Sequence, residues 1–92
     1  MKSVEFGPRA GRDLIKLRRW LLNRAPSAAD RAIDLILKRA DQLAEHSDLG
    51  RRKSQSMREL YVSFGAHAYV LQYRVHHDTV VILRVRHSLE RR

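Results

Sequence analysis

The chain contains no cysteine, so a disulfide framework, a thiolate metal site and a cysteine nucleophile are all excluded. With only four glycines, none spaced as a phosphate-cradling loop, nucleotide binding of the P-loop kind is excluded as well. Long apolar runs are also missing. The opening stretch MKSVEFGPRAGRDL has no continuous apolar signal core, and no run elsewhere approaches the length of a membrane span, so the reading is a soluble cytoplasmic protein without membrane contact. Acidic residues are scarce, at 10 Asp+Glu against 19 Lys+Arg, which leaves a formal charge of +9 on 92 residues. That length fits one small domain spanning residues 1–92, whose thin core leaves it open to stabilisation by a bound partner.

The positive charge is uneven. Residues 1–49 carry ten basic and seven acidic residues, net +3, whereas residues 50–92 carry nine and three, net +6. Arginine outnumbers lysine 15 to 4, and its planar fork suits bidentate contact with phosphate or carboxylate. The partner implied is anionic, either nucleic acid or an acidic protein.

Periodicity outlines an α+β chain. Lys2–Phe6 alternates as a short strand with Val4 and Phe6 on one side. Gly7-Pro8 ends it and opens a helix to about Asn23, with Gly7 as N-cap, Pro8 at the first helical position and Ala10, Leu14, Leu17 and Leu21 as its apolar stripe. Arg12, Lys16 and Arg19 fall on its outer side. Ser27-Ala28-Ala29-Asp30 resembles a capping box that starts a second helix running to about Glu45, with Ala29, Ile33, Ile36, Ala40 and Leu43 inward. The short link between the helices predicts an antiparallel hairpin, with Trp20 as an anchor between its arms.

Residues 46–56 lack periodicity and read as a basic loop. Three strand-like runs follow. Leu60, Val62 and Phe64 share one face of Arg58–Phe64; Tyr69, Leu71, Tyr73 and Val75 share one face of Ala68–Val75; Val81, Leu83 and Val85 share one face of Thr79–Arg86. Short turns between them predict an antiparallel meander whose apolar face the helix hairpin covers. By parity the opposite face carries Glu59, Tyr61, Ser63, Gln72, Arg74, Val80, Ile82, Arg84 and Arg86. His76-His77-Asp78 does not converge as a metal site, because adjacent strand residues point to opposite faces, so it reads as a polar turn. His46 and His67 read as loop residues.

Several segments together carry a family resemblance: Phe-Gly-Pro-Arg-Ala-Gly-Arg-Asp-Leu at 6–14, Arg58-Glu59-Leu60 opening the meander, Tyr69-Val-Leu-Gln-Tyr73-Arg-Val75, and Val81-Ile-Leu-Arg-Val-Arg-His87 closing it. In order and spacing the chain resembles the RelE/ParE toxins of bacterial type II toxin-antitoxin systems. That resemblance implies a growth-inhibiting toxin neutralised by a cognate antitoxin whose acidic or amphipathic segment wraps it. A segment that folds on binding would supply apolar cover and counter-charge to a small +9 domain.

Within the family, RelE-like members cleave mRNA in the ribosome and ParE-like members inhibit DNA gyrase. Metal-free RNA cleavage needs positioned cations and a side chain that can move a proton from the 2′-OH. On that reading Lys53, Arg58, Arg84, Arg86 and His87 form the phosphate-cleaving cluster, with no cofactor. RelE-like nucleases usually place an arginine directly after the first tyrosine of the third strand, where this chain has Val70, and its terminal segment keeps a histidine but no tyrosine. The ParE-like branch is therefore favoured. It assigns target contact to Arg74, Arg84, Arg86, His87, Arg91 and Arg92, and antitoxin contact to Leu17, Trp20, Leu21, Tyr61 and Arg74. A third reading, a non-catalytic nucleic-acid-binding module, fits the charge but not the modest 7% of aromatic residues, which fall mainly on the inferred core face.

Overall fold

A computed structural model describes residues 1–88 of the chain. Its elements are β1 (Ser3–Phe6), α1 (Pro8–Arg24), α2 (Pro26–Gln42), β2 (Arg51–Arg52), β3 (Arg58–Phe64), β4 (His67–His76) and β5 (Thr79–His87). The five strands form one mixed sheet in the order β1-β5-β4-β3-β2, with the two helices packed on it. The α+β class and the C-terminal meander match the sequence reading. The sheet is wider than expected, because β1 joins its edge in parallel with β5 and the basic loop contributes β2.

Helix α1 starts as predicted, on an extended Gly7 with Pro8 in the first turn. The Gly7 N–H donates to the Ile82 carbonyl at 2.9 Å, so the end of β1 and the start of α1 are both tied to β5. Helix α2 starts differently. Pro26 occupies its first turn, the N-cap is Ala25, and no side chain caps it, so the capping box expected at Ser27 does not form. Proline offers no N–H to be capped, which moves the helix start ahead of Ser27. Ala25 alone links the helices, and its N–H returns to the Leu21 carbonyl at 2.7 Å.

The core lies between the helices and one face of the sheet. Ala10, Ala29, Ala32 and Ala40 are fully buried and bring the helices close to the strands, while Ile36, Leu43, Leu60, Val62, Tyr69, Leu71, Tyr73, Val80, Ile82 and Val85 fill the interior. In β3 and in β4 as far as Tyr73 the inward residues are those predicted, but Val75 is exposed. In β5 the parity prediction inverts. Gln72 pairs with Arg84 but Tyr73 pairs with Ile82, so Leu83 is skipped in a β-bulge. Val80 and Ile82 therefore face the core instead of the exterior, and the strand changes phase before Val85.

The loop before β2 is built rather than irregular. Tyr73 Oη accepts the Gly50 N–H at 2.8 Å and donates to the Ser47 carbonyl at 2.8 Å. A Cβ on Gly50 would sit 2.7 Å from the Tyr73 ring and 2.8 Å from the Glu59 carbonyl, so only glycine fits this close approach. Arg58 donates to the Gly50 carbonyl at 2.7 Å and the Asp48 carbonyl at 3.3 Å, closing the same loop from the sheet side.

Candidate functional site

A groove of about 550 Å³ opens between α1 and the end of the meander, lined by Asp13, Lys16, Leu17, Trp20, His67, Arg84, Val85 and His87. Its position follows from the bulge. The change of phase in β5 leaves Val85 inward beside Leu71, and Arg84 reaches across to α1. Asp13 Oδ2 accepts from Arg84 Nε at 2.8 Å and from the Val85 N–H at 2.9 Å, while Oδ1 accepts from Arg84 Nη2 at 3.3 Å. Burial alone would raise the Asp13 pKa; the hydrogen bonds from Arg84 and Val85, with the charges of Arg84 and Arg9, outweigh it and hold the carboxyl below its ordinary value.

The other wall is aromatic. His67 Nδ1 and His87 Nε2 are 2.9 Å apart, and the His87 ring meets Tyr69 edge-on at 5.5 Å and Trp20 at 6.3 Å between centroids. Trp20 is 40% exposed, and the Arg24 guanidinium lies 4.2 Å from its ring centroid. It is thus a wall of the groove toward β5 and not the anchor between α1 and α2 that its spacing suggested. The Tyr69 hydroxyl is buried with no hydrogen-bond partner among the described residues, and burial pushes its pKa up. Leu17 is half-buried at the groove, but Leu21 is a core residue at 5% exposure, so it offers no surface to the antitoxin contact expected of it.

The opposite sheet face carries a second set. Arg74 and Tyr61 are exposed there, Tyr61 at 56%. Arg86 lies on this face with Nη2 3.9 Å from Glu59 Oε2, and Gln72 Nε2 donates to the same oxygen at 2.7 Å. Arg84 does not share this face with Arg86, as parity had placed it; the bulge sends it to the helix side. Arg91 and Arg92 lie outside the described residues.

The five residues of the expected phosphate-cleaving cluster do not converge. Arg58 is committed to backbone carbonyls beside β2, Lys53 is exposed after β2, Arg86 is on the outer face, and only Arg84 and His87 share the groove. Among the described residues no group of three or more metal-ligating side chains could hold a metal ion, and no helix is long and apolar enough to cross a membrane.

Asp13, Lys16, His67 and Val85 line the groove although none is expected there from the sequence, where Lys16 reads as an outer residue of α1, His67 as a loop residue and Val85 as part of the apolar sheet face. Asp13 had a signal, being an acid four residues before Leu17 and three after Ala10, on the inward side of α1. His67 is not a loop residue but the first residue of β4, and its meeting with His87 depends on a strand register that sequence does not display.

Comparison with known proteins agrees with this architecture. Over all 92 residues the chain is 86% identical to Toxin RelE3 of Caulobacter vibrioides, covering 100% of both. It is 39% identical over 90 residues to Toxin RelE1 of the same species, covering 98% of this chain and 97% of that one. Among solved structures it superposes on a chain from the chromosomal ParDE system of P. aeruginosa with a TM-score of 0.78 at 21% identity, over 95% of this chain and 96% of that one, a likeness of fold. A chain of the toxin-antitoxin complex RelBE2 from Mycobacterium tuberculosis gives a TM-score of 0.67 at 30% identity, over 94% and 96%. Residues 4–92 match the family described as the ParE toxin of the type II toxin-antitoxin system parDE, and with relatives this similar over nearly the full length the chain belongs to the RelE/ParE toxins of type II toxin-antitoxin systems.

Proposed function

We propose that this toxin inhibits growth in the cytoplasm by binding a target protein, DNA gyrase, without catalysis, and that a cognate antitoxin with an acidic or amphipathic segment neutralises it. The observation that carries the reading is the dispersal of the cations that RNA cleavage would need. Arg58 holds the loop carbonyls, Arg84 holds Asp13 and Arg86 faces Glu59, so three sites replace one cluster. Val70, where a RelE-like nuclease usually has an arginine, is 6% exposed between its strand partners Tyr61 and Arg86. The outer face, with exposed Arg74 toward one end of β4 and Arg86 toward the other, suits target contact, and the groove with Leu17, Trp20, Arg84 and His87 suits an apolar anchor flanked by carboxylates.

A ribosome-dependent ribonuclease is the second reading, favoured by His87 lining the same groove as Arg84. The two separate in one experiment. The chain is expressed with and without its antitoxin, and the purified toxin is assayed for inhibition of gyrase supercoiling and for mRNA cleavage on ribosomes. Inhibited supercoiling without cleavage is the expected result; cleavage with unaffected supercoiling establishes the ribonuclease instead.

A further inference from the structure

Helix α1 carries six basic residues against one acidic residue. The acid, Asp13, turns toward β5, where Arg84 and the Val85 N–H already meet its charge. Two of the basic residues are engaged as well. Arg18 pairs with Asp30 of α2 at 3.0 Å, and the Arg24 guanidinium lies against the Trp20 ring. The other four, Arg9, Arg12, Lys16 and Arg19, are all exposed, and among the described residues none of them makes an ion pair.

Their spacing makes them one feature. Steps of three, four and three residues keep all four within about 80° of one another around the helix, and at about 1.5 Å per residue the row is roughly 15 Å long. Buried Ala10 and Leu21 mark the opposite side of α1, so the row points away from the sheet. Arg18 marks the side toward α2, and the exposed Ile15 and Leu22 fall between it and the row. The row itself is cationic from end to end. Like charges at this helical spacing repel, so the arrangement costs stability unless a polyanion lies along it.

We propose that Arg9, Arg12, Lys16 and Arg19 form a sequence-independent contact for the phosphate backbone of duplex DNA; the choice of duplex DNA over RNA rests on the gyrase reading above. Composition argues for a nucleic acid. A protein partner needs an apolar core inside its polar rim, which the row lacks. A duplex backbone needs only a line of cations, because it carries one charge for about every 1.7 Å of axis and is held by phosphate contacts that carry no sequence information. Placement argues for DNA in the hands of the target. The helices cover one face of the sheet, and target contact is assigned to the other. A toxin that grips the enzyme through its outer sheet face turns α1 away from it, and the row can then lie on the DNA that the enzyme handles.

The test measures binding of the purified toxin to a fluorescent DNA duplex of arbitrary sequence, about 20 base pairs long, by anisotropy between about 50 and 200 mM salt. The triple substitution Arg9→Ala, Arg12→Ala and Arg19→Ala removes three phosphate contacts, so the slope of log K against log salt should become shallower by about 2.7, with an unchanged circular dichroism spectrum. Arg9→Lys, Arg12→Lys and Arg19→Lys together keep the charges and should keep the parent slope. No binding to the duplex at about 50 mM salt, or a slope that the alanine variant leaves unchanged, overturns the proposal. A slope lost instead in Arg51→Ala, Arg52→Ala and Lys53→Ala places the contact at β2 and overturns it too. An RNA hairpin bound more tightly than the DNA duplex overturns the choice of DNA. Gyrase supercoiling is assayed with the same proteins. Inhibition by a toxin that does not bind the duplex overturns the row and leaves the gyrase reading standing; duplex binding with the expected slope but no inhibition supports the row and overturns the gyrase reading.

Discussion

Asp13 binds Arg84 through both carboxylate oxygens, at 2.8 and 3.3 Å, and so joins the first helix to the last strand at the bulge. The pair is partly shielded, with side-chain exposures of 28% for Arg84 and 14% for Asp13, and the Val85 N–H adds a third hydrogen bond. Asp13→Asn should therefore cost about 2 kcal/mol, measured as a shift in urea midpoint at neutral pH. Because the folded pKa lies below the unfolded one, this contribution is complete above the ordinary aspartate value and is lost as pH falls through the depressed folded value. The parent and Asp13→Asn should thus converge in stability in strong acid and differ at pH 7.

Arg84 and Arg86, read from sequence as one basic face, should separate on mutation. Arg84→Ala leaves Asp13 partly buried without its counter-ion and should lower stability by about 2 kcal/mol. Arg86→Ala loses a 3.9 Å contact and should cost about 1 kcal/mol or less. Thermal unfolding of the two single variants checks the difference. Arg74→Ala, at an exposed position, should leave the melting temperature unchanged while reducing growth inhibition.

Gly50→Ala tests the packing of the loop onto Tyr73. Its methyl group would meet a fully buried ring and a backbone carbonyl at less than 3 Å, and neither is a flexible side-chain end. A loss of roughly 2–4 kcal/mol is expected. Tyr73→Phe, which removes both hydrogen bonds but keeps the ring, should cost about 1–3 kcal/mol in the same denaturation assay.

Trp20→Ala should weaken antitoxin binding by tenfold or more, the size expected of a half-open aromatic anchor at an interface. With the ring 40% exposed, the stability cost should be about 2–3 kcal/mol, below that of a fully buried tryptophan. Titration calorimetry beside thermal unfolding distinguishes a binding defect from a folding one.

His77 has φ 53°, in the left-handed region, at the turn between β4 and β5. His77→Gly should stabilise the fold by about 0.5 kcal/mol, because the relief of backbone strain exceeds the added freedom of the unfolded chain. A higher melting temperature is the expected reading.

Most of the fold was legible wherever side-chain periodicity alone decides structure. Leu60, Val62, Tyr69, Leu71 and Tyr73 are buried as their alternation predicts, and Pro8 marks the start of α1. Legibility failed where a residue's place depends on a distant partner. Nothing in Val80–Arg84 signals that Leu83 will be skipped against β4, since the bulge contains no glycine and is a property of the pairing. That one residue reversed the assignment of Val80, Ile82 and Arg84, and moved Arg84 from the outer face to the groove. The same limit hid His67, while the addition of β2 was masked by the polarity of Arg51 and Arg52, which suits an edge strand as well as a loop.

The placement of β5 inside the sheet also bears on when the toxin becomes dangerous. Ser3 and Thr79 are strand partners, and Asp13 reaches Val85, contacts that span 76 and 72 residues of chain. A nascent chain emerging N-terminus first can assemble the helix hairpin early, but β1 has no partner until β5 is synthesised. The sheet surface is therefore finished only after β5 has been synthesised, and until then the first half of the chain exists as a helix hairpin without the strand that docks β1.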